Sequence, residues 1–226
     1  MNLGNINIET ILWFILLIPS ITFHEFMHGY AAYRLGDPTA KDAGRLTMNP
    51  IKSIDPVGTL LLPAIMMITG GPIFGWAKPV PYNPMYFKDL RKGEIITGFA
   101  GPAANLVLAL FGSALAWIAI PAFALSSQLG EALYLVGSTL ALTNLVLMFF
   151  NLIPIPPLDG SSIVPLFLPD SAMRGWYTLQ RYSFPILIGL LWLVPMAFSA
   201  VGINFSPISA YFGATVTPLM GLLLPG

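Results

Sequence analysis

The chain has 226 residues, with ten basic against ten acidic side chains and a formal net charge of zero, so no global charge draws it to nucleic acid. Charged residues make up only 9% and the mean hydropathy is +0.76. Soluble domains carry about 25% charged residues, so an ordinary soluble domain is excluded and an integral membrane protein is expected. The absence of cysteine excludes disulfides, thiolate metal ligands and cysteine nucleophiles together.

The first apolar segment runs from about Ile8 to Tyr33, slightly more than the ~20 residues needed to cross a bilayer. Met1 to Glu9 lacks the basic region of a signal peptide and no small-residue cleavage pattern follows, so the segment is expected to stay in the mature protein. It holds both histidines of the chain, in the run His24-Glu25-Phe26-Met27-His28. On a helix, positions i and i+4 share a face about 6 Å apart along the axis. Two imidazoles so placed can hold one Zn²⁺ at roughly 2.0–2.1 Å from each nitrogen. Glu25 can then stand beside a metal-bound water and take its proton. The competing reading is a buried His–Glu–His knot without metal. The apolar setting favours metal, because ionisable groups inside membrane spans are costly and usually functional.

A polar stretch, Arg34 to Asp55, follows. The apolar run Val57 to Ile68 is interrupted at Pro63, and as helix it reaches about 18 Å, short of the ~30 Å hydrocarbon core. Gly75-Trp-Ala-Lys-Pro-Val-Pro81 cannot be a helix interior. Longer uncharged spans are predicted over Ile95–Leu125, Ala132–Leu152 and Tyr182–Ala200, with a shorter apolar piece at Ile208–Leu224. The basic residues fall in three regions: Arg34 to Lys52, Lys78 to Lys92, and Arg174 with Arg181. By the positive-inside rule these are cytoplasmic, and the connections 122–131 and 199–208, which have none, are external. The short run 57–68 should therefore dip in and return. The expectation is an all-α polytopic membrane protein with about five to six transmembrane segments, a short re-entrant or extended element after the first helix, and a single domain over 1–226.

Two histidines and a water leave zinc one protein ligand short, and with no other histidine or cysteine that ligand should be a carboxylate. The candidates besides Glu25 are Glu9, Asp37, Asp42, Asp55, Asp89, Glu94, Glu131, Asp159 and Asp170; Glu9 and Glu131 fall outside by this topology, while Asp37, Asp42, Asp89 and Glu94 sit among basic residues. Asp159 ends Asn151-Leu-Ile-Pro-Ile-Pro-Pro-Leu-Asp-Gly160, at the cytoplasmic outlet of a span that runs in the same direction as the first. Its prolines stop the helix, and Gly160 permits a tight turn that aims Asp159 inward. His24 lies about 15 Å along a helix from Arg34, so the metal should be submerged in the cytoplasmic half of the membrane. Asn151 is a candidate donor to the oxyanion of a tetrahedral intermediate, against the alternative of helix-to-helix hydrogen bonding. Asn144 is assigned to packing, and Gly101-Pro-Ala-Ala-Asn105 reads as a small-residue packing face with Asn105 a weak site candidate.

Together these residues resemble the site-2 protease family of intramembrane zinc metalloproteases. The likeness rests on HEFMH (24–28), RLTMNP with IDPVG (45–58), GWAKPVP (75–81), GFAGPAAN (98–105) and NLIPIPPLDG (151–160). It implies that His24, His28 and Asp159 bind one zinc ion with a water as fourth ligand, that Glu25 is the general base, and that Asn151 steadies substrate or oxyanion. It also implies hydrolysis of peptide bonds in or near transmembrane segments of other proteins. PDZ or CBS domains, common in the family, have no room here. The expected partners are a transmembrane protein substrate and the lipid bilayer, with no nucleic acid; the expected location is multi-pass in the cell membrane. Arg45 to Pro50 and the following re-entrant stretch are the candidate edge for receiving an unwound substrate strand. The rival readings are a metal transporter, which would need further ligands along a path, and a proteolytically inactive scaffold, which has no use for Glu25.

Overall fold

The computed structural model describes residues 8–61, 65 and 75–225. The described residues are helical or irregular, with no strand among them. Among the described residues, three helices are long and apolar enough to cross a membrane, or four if one bent pair, Ser171–Gln180 with Pro185–Ala200, counts as a single span. The all-α expectation holds among these residues, and the expected number of five to six spans is not confirmed. Half of the predicted re-entrant run 57–68 lies outside the described residues; of the rest, 57–61 belong to a π-helical turn, Pro56–Leu61. The chain divides into two compact units, Met1–Leu108 and Ala109–Gly226.

In the first unit, α1 spans Ile8–Arg34 and includes Pro19. Its buried hydroxyls are satisfied within the helix: Ser20 Oγ donates to Leu16 O (2.7 Å) and Thr22 Oγ1 to Ile18 O (2.8 Å). That pairing makes them tolerable in an apolar span. A turn through Gly36, whose φ is +105°, leads to the short helix α2 (Thr39–Asp42). The ends of the next excursion meet. Trp76 N donates to Gly58 O (3.2 Å), Thr59 Oγ1 to Trp76 O (2.8 Å) and Lys78 N to Ser53 O (2.9 Å). Gly58 is required there, because a Cβ would overlap the Trp76 indole. Helix α3 (Leu90–Leu125) begins after Asp89, whose carboxylate accepts from Lys92 N (3.1 Å). That bond holds the Asp89 carboxyl below its ordinary range.

In the second unit, the outer part of α3 packs on α4 (Ser127–Asn151) through glycines. A Cβ at Gly112 would stand 2.6 Å from Ala141 N, and one at Gly137 would stand 2.6 Å from Gly112 O, so the two backbones touch as small residues allow in membranes. Beyond α4 come a 3₁₀ stretch, Asp159–Leu166, and helix α5 (Asp170–Gln180). The expected span Tyr182–Ala200 is α6 (Ser183–Ile188), a π-helical turn (Gly189–Leu193) and α7 (Val194–Ala200) in succession. The last helix, α8 (Pro207–Leu223), closes a core of Ala109, Leu145, Met148 and Val216. Its terminal carbonyl, Leu223 O, accepts from Ser113 Oγ and Trp117 Nε1 (2.8 Å).

Candidate metal centre

Helix α1 presents His24 and His28 one turn apart, as the spacing requires. His24 is buried, and the ring centroids are 4.6 Å apart at an interplanar angle of 82°. His24 Nδ1 lies 2.6 Å from Asn105 Oδ1, and His28 Nδ1 lies 2.7 Å from Thr97 O. Both partners are oxygen acceptors, so each Nδ1 carries the proton and each Nε2 exposes its lone pair. The two Nε2 atoms are 2.9 Å apart. Two lone pairs at that distance repel unless a proton or a metal ion lies between them.

Helix α3 supplies this support from one ridge. Thr97, Gly101 and Asn105 are four residues apart, the i±4 spacing that lines up side chains on one face. Thr97 contributes its carbonyl and Asn105 its amide oxygen. Gly101 contributes room: a Cβ there would overlap His28 Nε2 and stand 2.6 Å from His24 Nε2. The ridge is the main feature of the site that patterning under-weighted. The amide that engages a histidine is Asn105, fully buried, in a segment assigned mostly to packing.

The donor chemistry fits zinc. Neutral imidazoles held by Nδ1–H···O bonds are the usual zinc-binding form. Tetrahedral bonds of about 2.0–2.1 Å place two nitrogens about 3.3 Å apart, so the pair needs to open by about 0.4 Å. Glu25 sits on the neighbouring face of α1, and its Oε2 accepts from Val80 N–H at 2.9 Å.

In the second unit, Asp159 opens the 3₁₀ stretch and is half-buried. Gly160 serves space rather than a left-handed turn. Its φ is not positive, and a Cβ would overlap Leu152 O and stand 2.8 Å from Ile153 O. Asn151 ends α4 and donates from Nδ2 to Leu147 O (3.0 Å), as Asn144 does to Leu140 O (2.9 Å). An amide has two N–H donors, so the Asn151 bond is compatible with a second contact. The Arg45 guanidinium donates to Lys52 O, to Lys78 O (2.7 Å) and to Pro79 O (3.3 Å), tying the expected substrate edge to the GWAKPVP segment.

Two imidazoles held for one cation, with a glutamate beside them on an apolar membrane-length helix, define a metalloprotease-like centre in a multi-pass membrane protein. Relatives agree. The chain is 39% identical over 184 residues, covering 80% of each, to a Bacillus subtilis protein named "Putative zinc metalloprotease YwhC". It is 35% identical over 174 residues to "Putative zinc metalloprotease Rip2" of Mycolicibacterium smegmatis, covering 76% of this chain and 63% of that one. For Rip2 of Mycobacterium tuberculosis the figures are 28% over 176 residues, 78% and 64%. No protein-family model and no solved structure matches the chain. The chain belongs to the site-2 protease family of zinc metalloproteases, as its motifs imply.

Proposed function

We propose that the two units form one intramembrane metalloprotease domain that hydrolyses peptide bonds in or near transmembrane segments of other proteins. The observation that carries the reading is the approach of the two Nε2 atoms to 2.9 Å, with both Nδ1 atoms engaged by oxygens. Asp159 is the proposed third ligand, giving a donor set of two imidazoles and one carboxylate for a single zinc ion, with water in the open position. Bound zinc supplies Lewis acidity that polarises a water and a scissile carbonyl. Glu25 takes the proton of the attacking water and passes it to the leaving amine. Asn151 steadies the oxyanion through its amide. Asn105 and the Thr97 carbonyl hold the histidine rings in the tautomer that offers Nε2. The substrate is a transmembrane segment that unwinds locally, within the cytoplasmic half of the cell membrane.

The test is metal content and cleavage of a model transmembrane peptide by purified protein in detergent. Wild type should carry about one zinc and cleave. Glu25→Gln should keep the zinc and lose hydrolysis by roughly 10²–10⁴-fold, the usual worth of a positioned base. Asp159→Asn should lose zinc. Full turnover in Glu25→Gln removes the mechanism, and full zinc occupancy in Asp159→Asn points to another carboxylate.

A further inference from the structure

The segment Lys78–Asn83 is fastened to the first unit along its length. At one end Arg45 holds Lys78 O and Pro79 O. At the other, Asn83 N donates to Asp37 Oδ2 (2.6 Å), and Asp37 is fully buried, its Oδ1 accepting from Thr39 N (2.9 Å). Between these anchors, Pro79 and Pro81 have no N–H, so Val80 carries the only backbone donor in residues 79–81. That donor goes to Glu25 Oε2.

The Val80 side chain is equally committed. It is buried, and it fills a notch that Gly29 leaves open: a Cβ at Gly29 would stand 2.7 Å from Val80 Cγ1 and 3.3 Å from Ala40 Cβ. Glu25 and Gly29 are four residues apart, on one face of α1. One residue of the strap therefore meets one ridge of the helix twice, with its N–H on the carboxylate and its methyl over the glycine.

We propose that this strap is the positioning device for the base, with Val80 as the positioning residue; the inference rests on the role proposed for Glu25. A glutamate has three rotatable side-chain bonds, and nothing in α1 alone selects one orientation of its carboxylate. The Val80 N–H selects it by fixing Oε2, which leaves Oε1 as the oxygen that takes the proton. The two prolines preset φ on either side, so little freedom remains for the donor to lose. Gly29 sets the height at which the strap sits, and Arg45 and Asp37 keep it taut.

The test uses the full chain in detergent with five variants: Glu25→Gln, Glu25→Ala, Val80→Pro, Gly29→Ala and the double variant Gly29→Ala with Val80→Ala. Val80→Pro deletes the one donor. It should lower kcat roughly 10- to 100-fold, the range for losing a support of a metal-site group, with KM and zinc content within about twofold of wild type. Gly29→Ala should lower kcat similarly by pushing Val80 off its seat, and adding Val80→Ala should restore most of it by removing the methyl that collides. A readout independent of turnover is amide exchange in the peptide spanning residues 78–83. With Glu25→Ala, the Val80 amide should exchange roughly tenfold faster, with or without zinc, because its acceptor is gone.

An unchanged kcat in Val80→Pro overturns the proposal. So does a double variant as impaired as Gly29→Ala alone, and that pair decides the matter should Val80→Pro fail to fold. Turnover in Glu25→Gln removes the base itself. An inactive Glu25→Gln beside a fully active Val80→Pro removes only the strap.

Discussion

Gly101→Ala separates zinc binding from folding, because the first should fall far more than the second. A Cβ at 101 stands 2.6 Å from His24 Nε2 and overlaps His28 Nε2, about 0.9 Å or more inside the ~3.5 Å optimum for non-bonded contact. Either ring can yield only by leaving its hydrogen bond, to Asn105 Oδ1 or to Thr97 O. Breaking a buried bond costs about 1–3 kcal/mol, and a displaced ring also leaves the metal, so zinc should bind on the order of 100-fold more weakly. Alanine is meanwhile preferred over glycine in a helix by about 0.8–1 kcal/mol. That gain offsets part of the lost hydrogen bond, so the zinc-free variant should be less stable than the zinc-free wild type by only about 0–2 kcal/mol. Chelator competition gives the affinity, and thermal unfolding in detergent gives the stability. Zinc affinity within about threefold of wild type would show that Gly101 is a packing residue and not part of the metal cradle.

Asn105→Leu keeps the side-chain branching but removes the acceptor for His24 Nδ1–H, and zinc affinity should fall about 10- to 100-fold; chelator competition against wild type measures it. Gly160→Ala drives a methyl group into Leu152 O, which should destabilise the turn by about 1–3 kcal/mol, read as a lower unfolding temperature and as lost zinc if Asp159 is the third ligand.

Much of the first unit is legible in the sequence because one run of residues carries both the span and the chemistry. The predicted end of α1, Tyr33, differs from the observed one by one residue. The weight of Asn105 was harder to read. Its role depends on contact across 81 positions, and no local pattern states which face of α3 meets α1. A partial signal exists, since Gly101 and Asn105 lie one turn apart, a gap and an acceptor on one face. The break in Tyr182–Ala200 shows a different limit. An apolar run reports that a segment tolerates lipid, while a π-helical turn at Gly189–Leu193 depends on packing that hydropathy does not encode. At Gly160 the residue type was informative and the assumed reason was not, since the carbonyl of Leu152 forbids a Cβ whatever the backbone angles.

Residues 24, 25, 28 and 29 of α1 divide into two adjacent ridges, because consecutive residues on a helix are turned by about 100°. His24 and His28 face Thr97, Gly101 and Asn105 of α3, whereas Glu25 and Gly29 face Val80 of the strap. The proposed metal ligands and the proposed base are thus supported by different elements, although they alternate along five positions of chain. Such separation has a physical advantage. Imidazoles need rigid acceptors behind them, since a misdirected lone pair weakens the metal bond outright, and a transmembrane helix provides that rigidity. A carboxylate that must gain and lose a proton needs only its direction fixed, and one N–H between two prolines does this without enclosing it. Substitutions on the α3 ridge should therefore alter zinc affinity, and substitutions in the strap should alter turnover at full zinc occupancy. A strap variant that loses zinc while Asn105 and Gly101 are intact would contradict that division.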